Sequence, residues 1–266
     1  MQDSKPPRSQ DSAFFANGPL LFGGPLGTRL ILEGFEPPLE PLNASHPEAV
    51  AALHQEDVAA GCDAVLTNTF SAASFDSSPQ DRAVVVTRAV VLARDSGAKF
   101  VFGSMAPPGR EDPVHPYLQT ARQLLASGVD GLILQTFLHL QDVERALELL
   151  RDLPVPIAVL MTPIPHWKFP AAEFAALAEK HQLFAIGVGC GAFPSDLEPA
   201  LESLKPATSL PLIALPAWDR NGHLEDHEIE RFGAFCRDQG VQGLGGCCGI
   251  HKNSLALLHG AYRDLV

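Results

Sequence analysis

Three of the chain's five cysteines stand where their chemistry can be shared: Cys190, and the adjacent pair Cys247 and Cys248 inside Gly245-Gly246-Cys247-Cys248-Gly249. A thiol acts as nucleophile or metal ligand in its thiolate form. Three thiolates with a fourth position open to solvent are the ligand set of a reactive zinc site, since closed structural sites use four protein ligands. The pair lies 57 and 58 residues beyond Cys190, so only the tertiary fold can bring the three together. Neighbouring side chains on a strand point to opposite faces, so Cys247 and Cys248 reach one ion only where the backbone turns, and the three flanking glycines offer that turn. A glycine-rich phosphate loop flanked by buried thiols is the competing reading of the same residues. Cys62 and Cys236 fall in or just after helical patterns and read as inert buried thiols.

Eight short apolar runs would position these residues, at 20–24, 64–68, 100–104, 131–135, 157–161, 184–189, 212–215 and 243–246. Helical patterns alternate with them at 79–96, 116–127, 141–150, 171–181, 196–204, 226–240 and 253–265, after a first one opened by Ser45-His46-Pro47-Glu48 with Ser45 as its N-cap. Gly61, Gly97, Gly128 and Gly240 close helices just before the next strand. Eight βα units, with no GxGxxG first turn, predict a (β/α)8 TIM barrel in a single domain, 19–266, behind a flexible N-terminal tail, 1–18. Chemistry in such a barrel sits at the carboxyl ends of the strands. Cys190 ends the sixth strand and Cys247-Cys248 follow the eighth.

Composition narrows the class of protein. With 46% hydrophobic residues among 266, the chain has material for a large core, and a formal charge of −12 without any basic cluster argues against nucleic acid and anionic membrane as partners. No apolar run reaches the ~18 to 20 residues of a membrane span and no signal-like stretch opens the chain. Odd, unevenly spaced cysteines suit a reducing compartment, so the expectation is a cytoplasmic protein. Neither composition nor motif implies an oligomeric state. A metal-dependent hydrolase is disfavoured by the absence of an H-x-H pair at a strand end and of HExxH.

Gly245-Gly246-Cys247-Cys248-Gly249, with Gly189-Cys190 before it, resembles the zinc signature of the homocysteine S-methyltransferase family. Gly27-Thr28, Thr67-Asn68-Thr69-Phe70 and Thr136-Phe137 occur in the order that family shows, so the resemblance covers nearly the whole chain. It implies that Cys190, Cys247 and Cys248 ligate Zn2+, that an acceptor thiol takes the open position, and that Gly23, Gly24, Gly27, Thr28, Asn68, Gln135 and Thr136 bind the acceptor. A methyl group would pass to the thiol from an onium or methyl-folate donor in one displacement, giving methionine where homocysteine is the acceptor. Phe70, Trp167 and Trp218 are aromatic candidates for holding an onium methyl by cation–π contact.

Two positions depart from the family. Members that use homocysteine typically carry an acidic residue at the position of Gly23 and a glutamate at that of Gln135, where the carboxylates hold the substrate ammonium. A further change puts Gly189 where asparagine is usual. Each charge-assisted hydrogen bond lost is worth about 1.5 to 3 kcal/mol, so beside homocysteine, the acceptor the resemblance implies, the sharper expectation is another small thiol without an α-ammonium. Asp76, Glu111, Asp112 and Asp219 are candidates for a compensating carboxylate, and His115, His166 and His223 for loop contacts. The contrasting reading is a degenerate barrel that keeps zinc for structure or thiol sensing and has lost transfer activity.

Overall fold

A computed structural model describes residues 12–109, 114–164, 166–190, 196–217, 225–250 and 252–263. All eight expected strands are present: β1 (Leu20–Leu21), β2 (Ala64–Leu66), β3 (Phe100–Met105), β4 (Gly131–Phe137), β5 (Ile157–Met161), β6 (Ala185–Gly189), β7 (Leu212–Leu215) and β8 (Gly243–Leu244). They form one sheet in the order β1-β8-β7-β6-β5-β4-β3-β2, every pair parallel. Its two ends meet where Phe22 bridges Ala64, the Asp63 N–H reaching Leu21 O at 2.7 Å and the Gly23 N–H reaching Ala64 O at 2.8 Å. The result is the expected parallel barrel.

Each strand is buried on both faces, which is why the strands read as apolar runs in the sequence. Phe22, Phe102, Ile133, Leu160 and Ile213 fill the interior, while the alternate residues Leu21, Val101, Leu132, Val159 and Ala214 pack outward under the helices. Those helices are α1 (Leu26–Leu32), α2 (Leu42–Ser45), α3 (Pro47–Ala59), α4 (Pro79–Asp95), α5 (Val114–Ala126), α6 (Leu140–Leu149), α7 (Ala171–Lys180), α8 (Leu197–Leu204), α9 (Asp226–Gln239) and α10 (Lys252–Arg263). Gly61, Gly97, Gly128 and Gly240 all take φ between 72° and 94°, the left-handed stop expected of them. No described helix is long and apolar enough to cross a membrane.

Three local expectations are corrected. Ser45 does not cap α3: it ends α2 with its hydroxyl on Pro41 O, and His46 precedes Pro47 at the start of α3. Helices α1 and α2 have no counterpart in the sequence reading, because they are short and start from prolines without a side-chain cap. Within the segment expected as a tail, Ser12–Phe15 form a 3-10 helix, and Phe14 is buried against the rings of Phe100, Phe102 and Phe184 at 5.0 to 5.1 Å. Aromatic burial outweighs the polar composition of the residues around it.

Candidate metal centre and its cavity

Cys190 follows β6 with φ of 56°, a left-handed conformation that an L-residue adopts at a cost, and its N–H bonds Leu215 O at 3.1 Å. Beyond β8 the chain turns at once: the Ile250 N–H closes on Cys247 O at 3.1 Å, with Gly249 at φ of 82° as the turn's third residue. That turn lets two consecutive cysteines face one point. Gly245 and Gly246 serve a different need, close approach, since a Cβ on Gly245 would lie 2.5 Å from the Cβ of Phe22 and one on Gly246 2.7 Å from Ile250.

The three sulfurs converge. Cys190 Sγ is 3.8 Å from Cys248 Sγ, Cys247 Sγ is 4.0 Å from it, and all three lie within 4.8 Å of one another. Zinc–sulfur bonds of about 2.3 Å in a tetrahedron place ligand sulfurs about 3.8 Å apart, so this donor set fits the ion. Sulfur hydrogen bonds from Cys190 and Cys247, reinforced by the Thr28 hydroxyl, hold the Cys248 thiol well below its usual range, whereas Cys190, Cys248 and burial push Cys247 up. Cys248 is also the most exposed of the three. Cys62 and Cys236 are buried and pushed up by burial, as inert thiols should be.

A cavity of about 260 Å³ opens beside the sulfurs, walled by Gly24, Gly27, Thr28, Asn68, Phe70, Gln135 and Thr136 among others. Much of its polar wall is internally bonded. The Gln135 amide donates to Ser104 Oγ at 2.8 Å, the Ser104 N–H donates to Thr67 Oγ1 at 3.2 Å, and Thr69 Oγ1 donates to Ser104 O at 2.8 Å. With the Thr69 proton so used, the 2.7 Å bond between the two threonines runs from Thr67 to Thr69. Asn68 proves to be a latch: its amide nitrogen bonds Leu39 O and Asn43 Oδ1, and its carbonyl accepts from Asn43. Thr136 sits on a bulge that shifts the β4–β5 register, at φ of 64°, with a buried hydroxyl that has no partner.

Other expected residues lie elsewhere. Gly23 does not wall the cavity, and Trp167 is 67% exposed in a neighbouring cleft with Leu138, His139 and Thr162. Asp76 is exposed and does not line the cavity, as are His166 and His115, the latter within α5 rather than a loop. Trp218, Asp219, Glu111, Asp112 and His223 fall outside the described residues. Apart from the thiols, no described residue of the cavity wall carries an ionisable side chain. Sequence reasoning missed Arg29 and Asp57, an ion pair of 2.6 Å immediately behind Gly24. The one available signal was an arginine directly after the matched Gly27-Thr28.

The family model described as homocysteine S-methyltransferase matches residues 20–262. Methionine synthase of Mycobacterium leprae (strain TN) is 26% identical over 257 residues, an alignment covering 81% of this chain and 21% of that protein. Betaine-homocysteine S-methyltransferase of Drosophila melanogaster is 23% identical over 290 residues, covering 80% of this chain and 83% of its own length. The apo crystal structure of the homocysteine methyltransferase MmuM from Escherichia coli superposes with a TM-score of 0.76 at 22% identity, covering 92% of this chain and 96% of that one. The chain thus spans about a fifth of the mycobacterial methionine synthase and most of the length of the other two.

Proposed function

The chain belongs to the homocysteine S-methyltransferase family, and on that premise we propose that it is an S-methyltransferase acting on a small thiol bound beside Cys190, Cys247 and Cys248. The three converging sulfurs carry the reading. Zn2+ bound by them would supply a site that keeps an acceptor sulfur deprotonated near neutral pH, where a free thiol with a pKa of about 8.5 is mostly protonated. A metallated form of E. coli MmuM has been crystallised, which is consistent with a metal in this family.

The chain's own residues then bind and orient. Thr28 steadies Cys248, while Gly24 and Gly27 let backbone form part of the cavity wall. The acceptor sulfur attacks the donor methyl carbon, the new C–S bond forming as the bond to the donor's leaving group breaks, and the thiol proton goes to solvent. No enzyme side chain is alkylated on the way. Phe70, 41% exposed and on the cavity wall, is the described aromatic best placed to face an onium methyl; Trp167 would serve only a donor that extends into the adjoining cleft. Free thiols in such a cluster suit a reducing, cytoplasmic setting.

A cavity wall that carries no charge among the described residues, thiols apart, favours an acceptor without an α-ammonium over homocysteine. Gln135 offers an amide in place of a carboxylate, and that amide's nitrogen is committed to Ser104. Zinc K-edge absorption on the full chain tests both parts. We expect three sulfur ligands, rising to four with ethanethiol and staying at three with homocysteine. A rise with homocysteine would make homocysteine the working acceptor; three sulfurs with either thiol would favour a binding-only barrel; no stoichiometric zinc would remove the function proposed.

A further inference from the structure

The cavity wall at the end of β1 is uncharged, yet two charges lie directly behind it. A Cβ on Gly23 would come within 2.4 Å of Asp57 Oδ2 and 2.9 Å of its Cγ, so the Asp57 carboxylate, reaching in from α3, occupies the space of a residue-23 side chain. Both its oxygens are engaged: Oδ2 accepts from the Gly24 N–H at 3.1 Å and Oδ1 from Arg29 Nη1 at 2.6 Å. Arg29 also reaches Glu56 at 2.8 Å and Leu53 O at 3.4 Å. Gly24 walls the cavity here, and a Cβ on it would sit 3.4 Å from Arg29 Nη1. The pair is 8% and 4% exposed, and opening such a pair to serve a ligand would strand a buried charge.

Resting on the reading of this cavity as the acceptor site, we propose that Arg29 and Asp57 determine which thiols it admits. Asp57 bars residue 23 from carrying a side chain of its own, and Arg29, shared with Glu56, pairs the Asp57 carboxylate behind Gly24. The end of β1 therefore offers a bound thiol only neutral backbone, and selects acceptors that lack an α-ammonium. Gly23 and Asp57 are a coupled choice: a side chain at one position excludes the carboxylate at the other.

The test uses the zinc-loaded full chain, with ethanethiol and L-homocysteine as probes in titration calorimetry and with thermal melting as a second readout. Gly23→Ala should lower the melting temperature while Asp57 is present and leave it unchanged in an Asp57→Ala background. Moving the acid, in Gly23→Asp/Arg29→Met/Asp57→Ala, should shift the ratio of the two affinities toward homocysteine by about tenfold or more, the effect of one charged hydrogen bond. Arg29→Met/Asp57→Ala with Gly23 kept sets the baseline against which that shift is read. Equal destabilisation by Gly23→Ala in both backgrounds overturns the proposal, and so does an unchanged ratio in a folded, zinc-bound triple variant. Should the triple variant not fold, the Gly23→Ala melts still decide. Wild-type chain that binds neither thiol defeats the acceptor-site reading and this proposal with it; wild-type chain that binds ethanethiol, followed by an unmoved ratio, defeats this proposal alone.

Discussion

Thr136 combines two unfavourable features in one residue. It is β-branched yet held at φ of 64°, and its hydroxyl is buried with no partner. Left-handed strain at such a residue costs about 1 to 3 kcal/mol, and strain of this kind collects at binding sites where the surrounding structure enforces it. Glycine relieves both features, at the cost of about 0.5 to 1 kcal/mol of extra unfolded-chain freedom. Thr136→Gly should therefore raise the free energy of unfolding by about 1 kcal/mol, read from urea midpoints, while thiol affinity falls. A variant that is both less stable and unaltered in binding would show that Thr136 is simply well packed. Residues such as Cys190, Cys247 and Cys248 were legible in the sequence because their type is informative and the strand pattern located them. Asp57 was not: a mid-helix aspartate 34 positions after Gly23 gives no sign that its carboxylate fills that glycine's empty side.

Among the elements, the strands were the most legible and the first segment the least. Apolar runs buried on both faces and glycines at helix ends are local signals, and they placed all eight strands in order. The 3-10 helix Ser12–Phe15 has no such signal, because what buries Phe14 is a ring of aromatics from elsewhere: Phe100, Phe102 and Phe184. Phe100 and Phe102 belong to β3 and Phe184 directly precedes β6, so the plug joins two strands that do not pair with each other. Phe14→Ala should cost about 3 to 5 kcal/mol, the range for deleting a buried phenylalanine, measured by chemical unfolding. A loss under about 1 kcal/mol would mean that the aromatics close over the gap without it. Zinc content is expected to stay the same, since the sulfurs follow β6 and β8 at the strands' carboxyl ends.

At the scale of the whole molecule, buried histidines set the response to acid. His54 on α3 is fully buried, and neither ring nitrogen has a hydrogen-bond partner. Burial, with the Arg29 guanidinium nearby, lowers its pKa from 6.5 to about 4. His259 on α10 is likewise brought down to about 4, chiefly by burial and then by Arg263. In the unfolded chain both rings take up a proton near 6.5, whereas the folded chain resists until near 4. The unfolded state thus holds more protons across that window, and stability falls as pH is lowered through it and is flat above. Each ring contributes a loss of about 2 to 3 kcal/mol between about pH 7 and about pH 4.5. His54→Leu should remove one such share from the acid-induced loss seen in urea unfolding. It should do so without lowering stability near neutral pH, because it replaces an unpartnered buried polar group with an apolar one of similar size. An acid slope identical to that of the unsubstituted chain would assign the loss to carboxylates instead, the other groups that take up protons toward the lower end of that range.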